Sequence, residues 1–220
     1  MMKKIKTALI SVSDKRNLKP LLTVLKRNNV KIISSGGTFK EIKKLKFNCI
    51  EVAEFTNSPE ILEGRVKTLH PKIHAGILNK RGSKLHLKDL KINNFENIDL
   101  VIVNFYPFEN ALNKTNNHNK IIENIDVGGP TMVRSAAKNY KDVAVITSSN
   151  QYIELIDELN KYKGSTSLNL REKLSGIAFT ETAYYDSVIS SYFNRISNTN
   201  FPKKKVLHGN LIETLRYGEN

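Results

Sequence analysis

The sequence predicts an α/β protein: a mainly parallel, doubly wound sheet with helices on both faces, followed by a helical extension. Three observations carry this expectation. Short apolar runs alternate with segments of helical spacing; one run, Ile98–Asn104, is apolar almost throughout, as a central parallel strand must be; and polar clusters recur where such strands end. Taken in order, Ile5–Val12 reads as a strand closing in Ser13-Asp14-Lys15, and Leu18, Leu21, Leu22 and Leu25 recur at helical spacing after it. Val30–Ser34 is a strand, Thr38–Leu45 an amphipathic helix and Asn48–Ala53 a further strand. Beyond Ile98–Asn104, Val133–Asn139 continues a helix, Asp142–Thr147 is a strand and Tyr152–Leu159 a helix. From Asn169 to about Ile196 the pattern is helical, with a break expected near Gly176, and residues 198–205 read as an exposed linker. The organisation expected is a core over residues 1–148, a helical extension over 149–197, and a linker with the start of another domain over 198–220.

Composition narrows the functional classes. The 220 residues are 40% hydrophobic and 25% charged, ordinary for a globular protein, and no apolar run approaches the ~20 residues of a membrane span. Met1-Met2-Lys3-Lys4 leads directly into a strand pattern, not into a signal-peptide core, so a cytoplasmic protein is expected. The single cysteine, Cys49, excludes an internal disulfide framework and reads as an inert buried thiol beside Phe47 and Ile50. The net charge of +14 is spread along helices with Glu and Asn between the lysines, as in Lys40-Glu41-Ile42-Lys43-Lys44. With no zinc finger, RRM-like aromatic signature or recognition helix, no nucleic-acid partner is expected; the charge favours small anionic substrates.

Residues 64–78 hold the densest functional information. Arg65, Val66, Lys67, Thr68, His70, Lys72 and His74 surround Pro71, with basic residues on every face, so the segment reads as a shaped loop. Arg, Lys and Thr together offer a planar fork, a point charge and a hydroxyl donor, which suit a phosphate. His70 and His74 are four apart, but the intervening proline and the absence of an adjacent Glu argue against zinc. Ser35-Gly36-Gly37-Thr38 joins a strand to a helix, where backbone N–H groups and the helix dipole favour an anion; Thr38 and Glu41 also match a capping box. Ser13 and Asp14 match caps for a helix starting near Arg16, whereas Lys15 is a cation placed against the dipole. Ser58-Pro59-Glu60 reads as an N-cap followed by proline at the first helical position. In Asp126-Val127-Gly128-Gly129-Pro130, a carboxylate precedes a small-residue helix that ends in Lys138.

These strings, with Asn104-Phe105-Tyr106-Pro107-Phe108, stand in one order along the chain and together resemble the inosine monophosphate cyclohydrolase domain of the PurH family of bifunctional purine-biosynthesis proteins. The resemblance implies a methylglyoxal-synthase-like fold and dehydrative closure of 5-formamidoimidazole-4-carboxamide ribotide to inosine monophosphate, without a cofactor or metal. It implies Lys138 as main proton-transfer residue, Asp126 at the carboxamide, and Lys67 and Tyr106 at the formyl oxygen. Ser11, Ser13, Asp14, Lys15, Ser35, Gly36, Gly37, Thr38, Arg65, Val66, Thr68, Val103, Asn104, Val127 and Gly128 would bind the ribotide. A homodimer and a covalently linked formyltransferase domain using 10-formyltetrahydrofolate are also implied. Leu215-Arg216-Tyr217-Gly218-Glu219-Asn220 resembles the entry to that second domain. Two rivals are a methylglyoxal synthase and a non-catalytic basic ligand- or nucleic-acid-binding domain.

Asp126 and Lys138 raise a difficulty. Twelve residues of straight helix would separate their backbones by roughly 18 Å, so the glycines must delay the helix or Lys138 must reach back.

Overall fold

Burial on both faces turns the apolar runs into a parallel sheet. The computed structural model describes residues 1–214, so the motif at 215–220 lies outside the described residues. The elements are β1 (Lys3–Lys4), β2 (Thr7–Val12), α1 (Leu18–Arg27), β3 (Lys31–Ser34), α2 (Gly36–Lys44), β4 (Ile50–Glu51), α3 (Val52–Thr56), α4 (Pro71–Leu78), α5 (Lys84–Ile92), β5 (Leu100–Asn104), α6 (Phe108–Lys114), α7 (His118–Ile122), α8 (Gly128–Lys138), β6 (Ala144–Ile146), α9 (Tyr152–Lys161), β7 (Ser165–Thr166) and α10 (Leu168–Ile196).

The main sheet has five parallel strands in the order β4-β3-β2-β5-β6. This is the α/β architecture expected from the sequence. Leu9, Ile10, Leu100, Val101 and Ile102 are almost inaccessible, which explains the continuous apolar pattern of β2 and β5. From β2 the chain winds one way to β3 and β4, and from β5 it winds the other way to β6. Right-handed crossovers then set the connecting helices on opposite faces and open a crevice beyond the carboxyl ends of β2 and β5.

Several local expectations are corrected. The Ile5–Val12 run is divided: Lys3–Lys4 pairs antiparallel with Ser165–Thr166, and the main strand starts at Thr7. Only Ile50–Glu51 of the expected Asn48–Ala53 strand pairs, because Val52 already begins α3. No α-helix follows Ser58-Pro59-Glu60, which runs as irregular chain into a bridge between Ile61 and Val66 that encloses a single 3-10 turn over Leu62–Gly64. The loop expected over 64–78 becomes helix from Pro71 onward, since proline is tolerated at the first helical position and His70 Nδ1 caps the Lys72 N–H. Helix α10 runs unbroken through Gly176, where a methyl group would meet open space.

The chain divides into two compact units: residues 1–106 with 126–180, and residues 107–125 with those from Glu181 on. Helix α10 contributes to both. In the second unit, Phe108 stands edge-on to Tyr185 and Tyr192, and His118 stacks on Tyr192 with Nδ1 2.9 Å from its hydroxyl. In the first unit, Arg171 is completely buried and donates to the carbonyls of Tyr140, Thr166, Met1 and Lys141 and to the Thr166 hydroxyl. Truncating a buried charge that satisfies this many carbonyls leaves them unpaired. Arg171→Ala is therefore expected to lower unfolding stability by about 3–5 kcal/mol, measured by urea titration.

Candidate functional site

The join between β2 and β5 fixes the centre of the site. Asn104 ends β5, and its side-chain oxygen accepts from Ser13 N (2.7 Å), Ser13 Oγ (2.9 Å) and Asp14 N (3.0 Å), while its nitrogen donates to Asp14 O at 3.3 Å. The amide expected to meet a heterocycle is thus engaged in shaping the 13–15 loop. Asp14 is gripped by the fork of Arg16 and also accepts from Ser149 Oγ at 2.8 Å. The Arg16 hydrogen bonds hold its carboxyl well below the usual range. Beneath it lies Tyr152, whose phenol is pushed up to about 12 by burial and by Asp14. Helix α1 begins at Leu18, after a left-handed Asn17, so neither Ser13 nor Asp14 caps it.

Beside this loop stands the N-terminus of α2. Ser35 is its N-cap but makes no side-chain capping bond, and the expected Thr38–Glu41 capping box does not form. Thr38 is instead buried, accepting from Val12 N and donating to Val12 O, both at 2.9 Å. It locks α2 to the end of β2. The first-turn amides of α2 are left facing two ammonium groups: Lys15 Nζ lies 3.8 Å from a Cβ position on Gly37, and Lys67 Nζ 3.8 Å from one on Gly36. Two cations at a helix N-terminus make a strongly positive recess, electrostatically suited to a dianion. Gly36 itself holds φ 54°, a left-handed conformation that a side chain would resist.

Lys67 and Thr68 link this recess to a second cluster. Thr68 is buried, and a Cβ on Gly128 would sit 2.5 Å from its Oγ1; a Cβ on Gly129 would overlap the Asp126 carboxylate. Asp126 Oδ1 accepts from Gly129 N at 2.8 Å. Burial raises the proton affinity of Asp126, offset in part by that bond. Lys15, the start of α2, Lys67, Thr68, Gly128 and Asp126 are therefore successive neighbours around one recess.

Other expected residues are placed as follows. Arg65, Tyr106 and Val127 are exposed, Ser11 and Val66 are half-buried, and Val103 is core, so Val103 offers only backbone. Lys138 is exposed at the far end of α8. Helix α8 starts at Gly128 without delay, and its 11 residues carry Lys138 about 15 Å from that start. Its neighbour Asn139 donates to Ile77 O and Asn79 O, and β6 begins shortly beyond, at the sheet edge opposite Ser13 and Asn104. Glu60, 3.1 Å from Lys67 Nζ, and Ser149 were not anticipated. Glu60 stands in the Ser58-Pro59-Glu60 string that reads as a helix start.

The described residues contain no group of three His, Cys, Asp or Glu suited to a metal, and no helix long and apolar enough to cross a membrane.

The comparisons with known proteins place the family and the fold. Residues 17–131 match the MGS-like domain family. The chain belongs to that family. Residues 136–220 match the AICARFT/IMPCHase bienzyme family. The MGS-like chain is 50% identical over 214 residues to the bifunctional purine biosynthesis protein PurH of Prochlorococcus marinus subsp. pastoris, covering 97% of this chain and 41% of the relative. It is 44% identical over 218 residues to PurH of Bradyrhizobium diazoefficiens, covering 99% of this chain and 41% of that protein. The chain thus spans about two fifths of the length of these relatives. The crystal structure of ForH superposes with a TM-score of 0.77 at 28% identity, over 86% of this chain and 99% of that one.

The half-buried Asp126 carries a stability signature. Its folded-state proton affinity is raised, so the associated stability is present below the ordinary value of 3.8 and is lost as pH rises through the raised value. Asp126→Asn keeps an acceptor for Gly129 N–H and removes the buried charge. A higher thermal midpoint than the unmutated chain at neutral pH is expected, with the gap closing in acid; equal midpoints at neutral pH would count against a desolvated carboxylate.

Proposed function

We propose that this MGS-like chain is an inosine monophosphate cyclohydrolase, closing 5-formamidoimidazole-4-carboxamide ribotide with loss of water. One observation carries the reading: a dianion recess at the α2 N-terminus, with Lys15 beside it and Lys67 at its lip, continues through Thr68 and Gly128 to a half-buried carboxylate of raised proton affinity. A ribotide has that polarity, with a phosphate at one end and a ring to be closed at the other. The similarity to PurH proteins over nearly the whole chain supports the same substrate.

Nucleophile and electrophile share one imidazole ring, so the enzyme's task is to hold the reactive rotamer and move protons. The carboxamide nitrogen attacks the formyl carbon. One proton leaves that nitrogen, one leaves the formamide nitrogen, and both depart with the formyl oxygen as water. Asp126 accepts from the carboxamide; its raised proton affinity makes it a stronger base and lets it return the proton to the departing oxygen. Lys67 and Tyr106 stabilise the oxyanion that forms on the formyl oxygen. Lys15, Ser35, Gly36 and Gly37 hold the phosphate, with Thr68 and Arg65 toward the sugar. Asn104 and Thr38 act by shaping the two loops. The closure uses no cofactor. In the longer relatives' arrangement, a linked formyltransferase part using 10-formyltetrahydrofolate would supply the formylated ribotide, in a homodimer.

The test supplies purified chain with the formylated ribotide and follows inosine monophosphate by absorbance. Turnover is expected. Asp126→Asn should lower kcat by at least about a hundredfold, and Lys15→Ala should act mainly by raising KM about tenfold. No product from the ribotide, with methylglyoxal released from a triose phosphate, would favour the methylglyoxal synthase reading that the shared fold allows.

A further inference from the structure

Lys67 carries a carboxylate partner to which the cyclohydrolase reading gives no task. Glu60 Oε1 lies 3.1 Å from Lys67 Nζ. The pair depends on a backbone turn that ordinary residues avoid. Leu62, Glu63 and Gly64 hold φ 53°, 54° and 90°, three left-handed residues in succession, clamped by the bridge between Ile61 and Val66. Left-handed Leu and Glu persist only where their surroundings over-determine them, and such strain gathers at functional loops.

The turn folds Glu60 back against Lys67. A Cβ on Gly64 would overlap Glu60 Oε1 and would stand 3.2 Å from Lys67 Nζ, so the absence of a side chain there admits the pair. On its other side, the same ammonium faces Gly36 at the start of α2, with Lys15 beside Gly37. Both the helix dipole and Lys15 repel Lys67 from that recess. A fixed negative charge behind Lys67 therefore decides where its ammonium rests.

We infer that Glu60 is a positioning residue for the ring closure, holding the Lys67 ammonium at the lip of the recess where the formyl oxygen develops charge. This rests on the cyclohydrolase reading. The pair is one third to one half exposed, so its contribution to folding stability is small and its loss leaves the fold intact. The role is thus separable from a structural one.

The experiment is a double-mutant cycle on the whole chain with the formylated ribotide as substrate. Glu60→Gln is expected to lower kcat about tenfold with KM within about twofold, while the thermal midpoint stays unchanged. Glu60→Asp should restore part of the loss. In a Lys67→Gln background, adding Glu60→Gln should cost less than about twofold, because the group it positions is gone. Wild-type-like kcat in Glu60→Gln, or a full second loss in the Lys67→Gln background, overturns the role of Glu60 while leaving the cyclohydrolase reading in place. Absence of turnover by the unmutated chain overturns that reading and this role together.

Discussion

One side-chain amide holds the functional half of this molecule in shape. Asn104 stands at the end of β5, beside the strand from which the sheet winds in the opposite direction. Its oxygen takes three donors from Ser13 and Asp14, and its nitrogen returns one bond to the Asp14 carbonyl. At that point the connections leave the sheet to opposite sides and no further strand pairing ties the loops together. Ser13 Oγ donating to Phe105 O and Ser149 Oγ donating to Asp14 also hold that loop, and Thr38 clamps Val12 just before it. The two contacts act in series: Thr38 sets α2 against β2, and Asn104 sets the β2 loop against β5. The distance between Lys15 and the α2 N-terminus follows from both.

The recess so formed works against its own electrostatics. Lys15, Lys67 and the positive end of α2 converge, and no acidic residue occupies the first turn of that helix. A fold selected only for stability would place Asp or Glu there. The unfavourable term would be exchanged for a favourable one by an anion entering between these cations. Two lysines, Lys15 and Lys67, are brought to the α2 start, within a net charge of +14 that is spread along the chain.

The fold was readable because its strongest signals are long-range burial patterns. The near-continuous apolarity of Ile98–Asn104 located the central strand, and the polar strings after β2, β3 and β5 located the crevice. What failed was short-range. Thr38 matched a capping box by spacing, yet the end of β2 offered it two backbone partners in a buried setting, and tertiary bonds outweighed the local cap. Pro71 read as a breaker, but at the first helical position its ring suits the backbone. Glu60 was hidden for a different reason. Its pairing with Lys67 is created by three left-handed residues, two of them non-glycine, and no sequence rule anticipates that geometry. For Lys138 the string fixes a place on the helix, and the rise of that helix fixes where its end stands.

That rise also separates the two ends of α8. Because α8 begins at Gly128 itself, its first turn is pressed against Thr68 and Asp126, and side chains at 128 or 129 would collide with them. The compact start gives Asp126 a backbone donor and takes water from around it, which raises its proton affinity. The helix rise sets its eleventh residue about 15 Å from its first. The candidate groups Asp126 before α8, Lys67 before α4 and Tyr106 after β5 all stand at the ends of elements. Loop ends can converge on a single ring because each is aimed by a separate strand or helix, whereas two positions on one rigid rod can only stay as far apart as the rod is long.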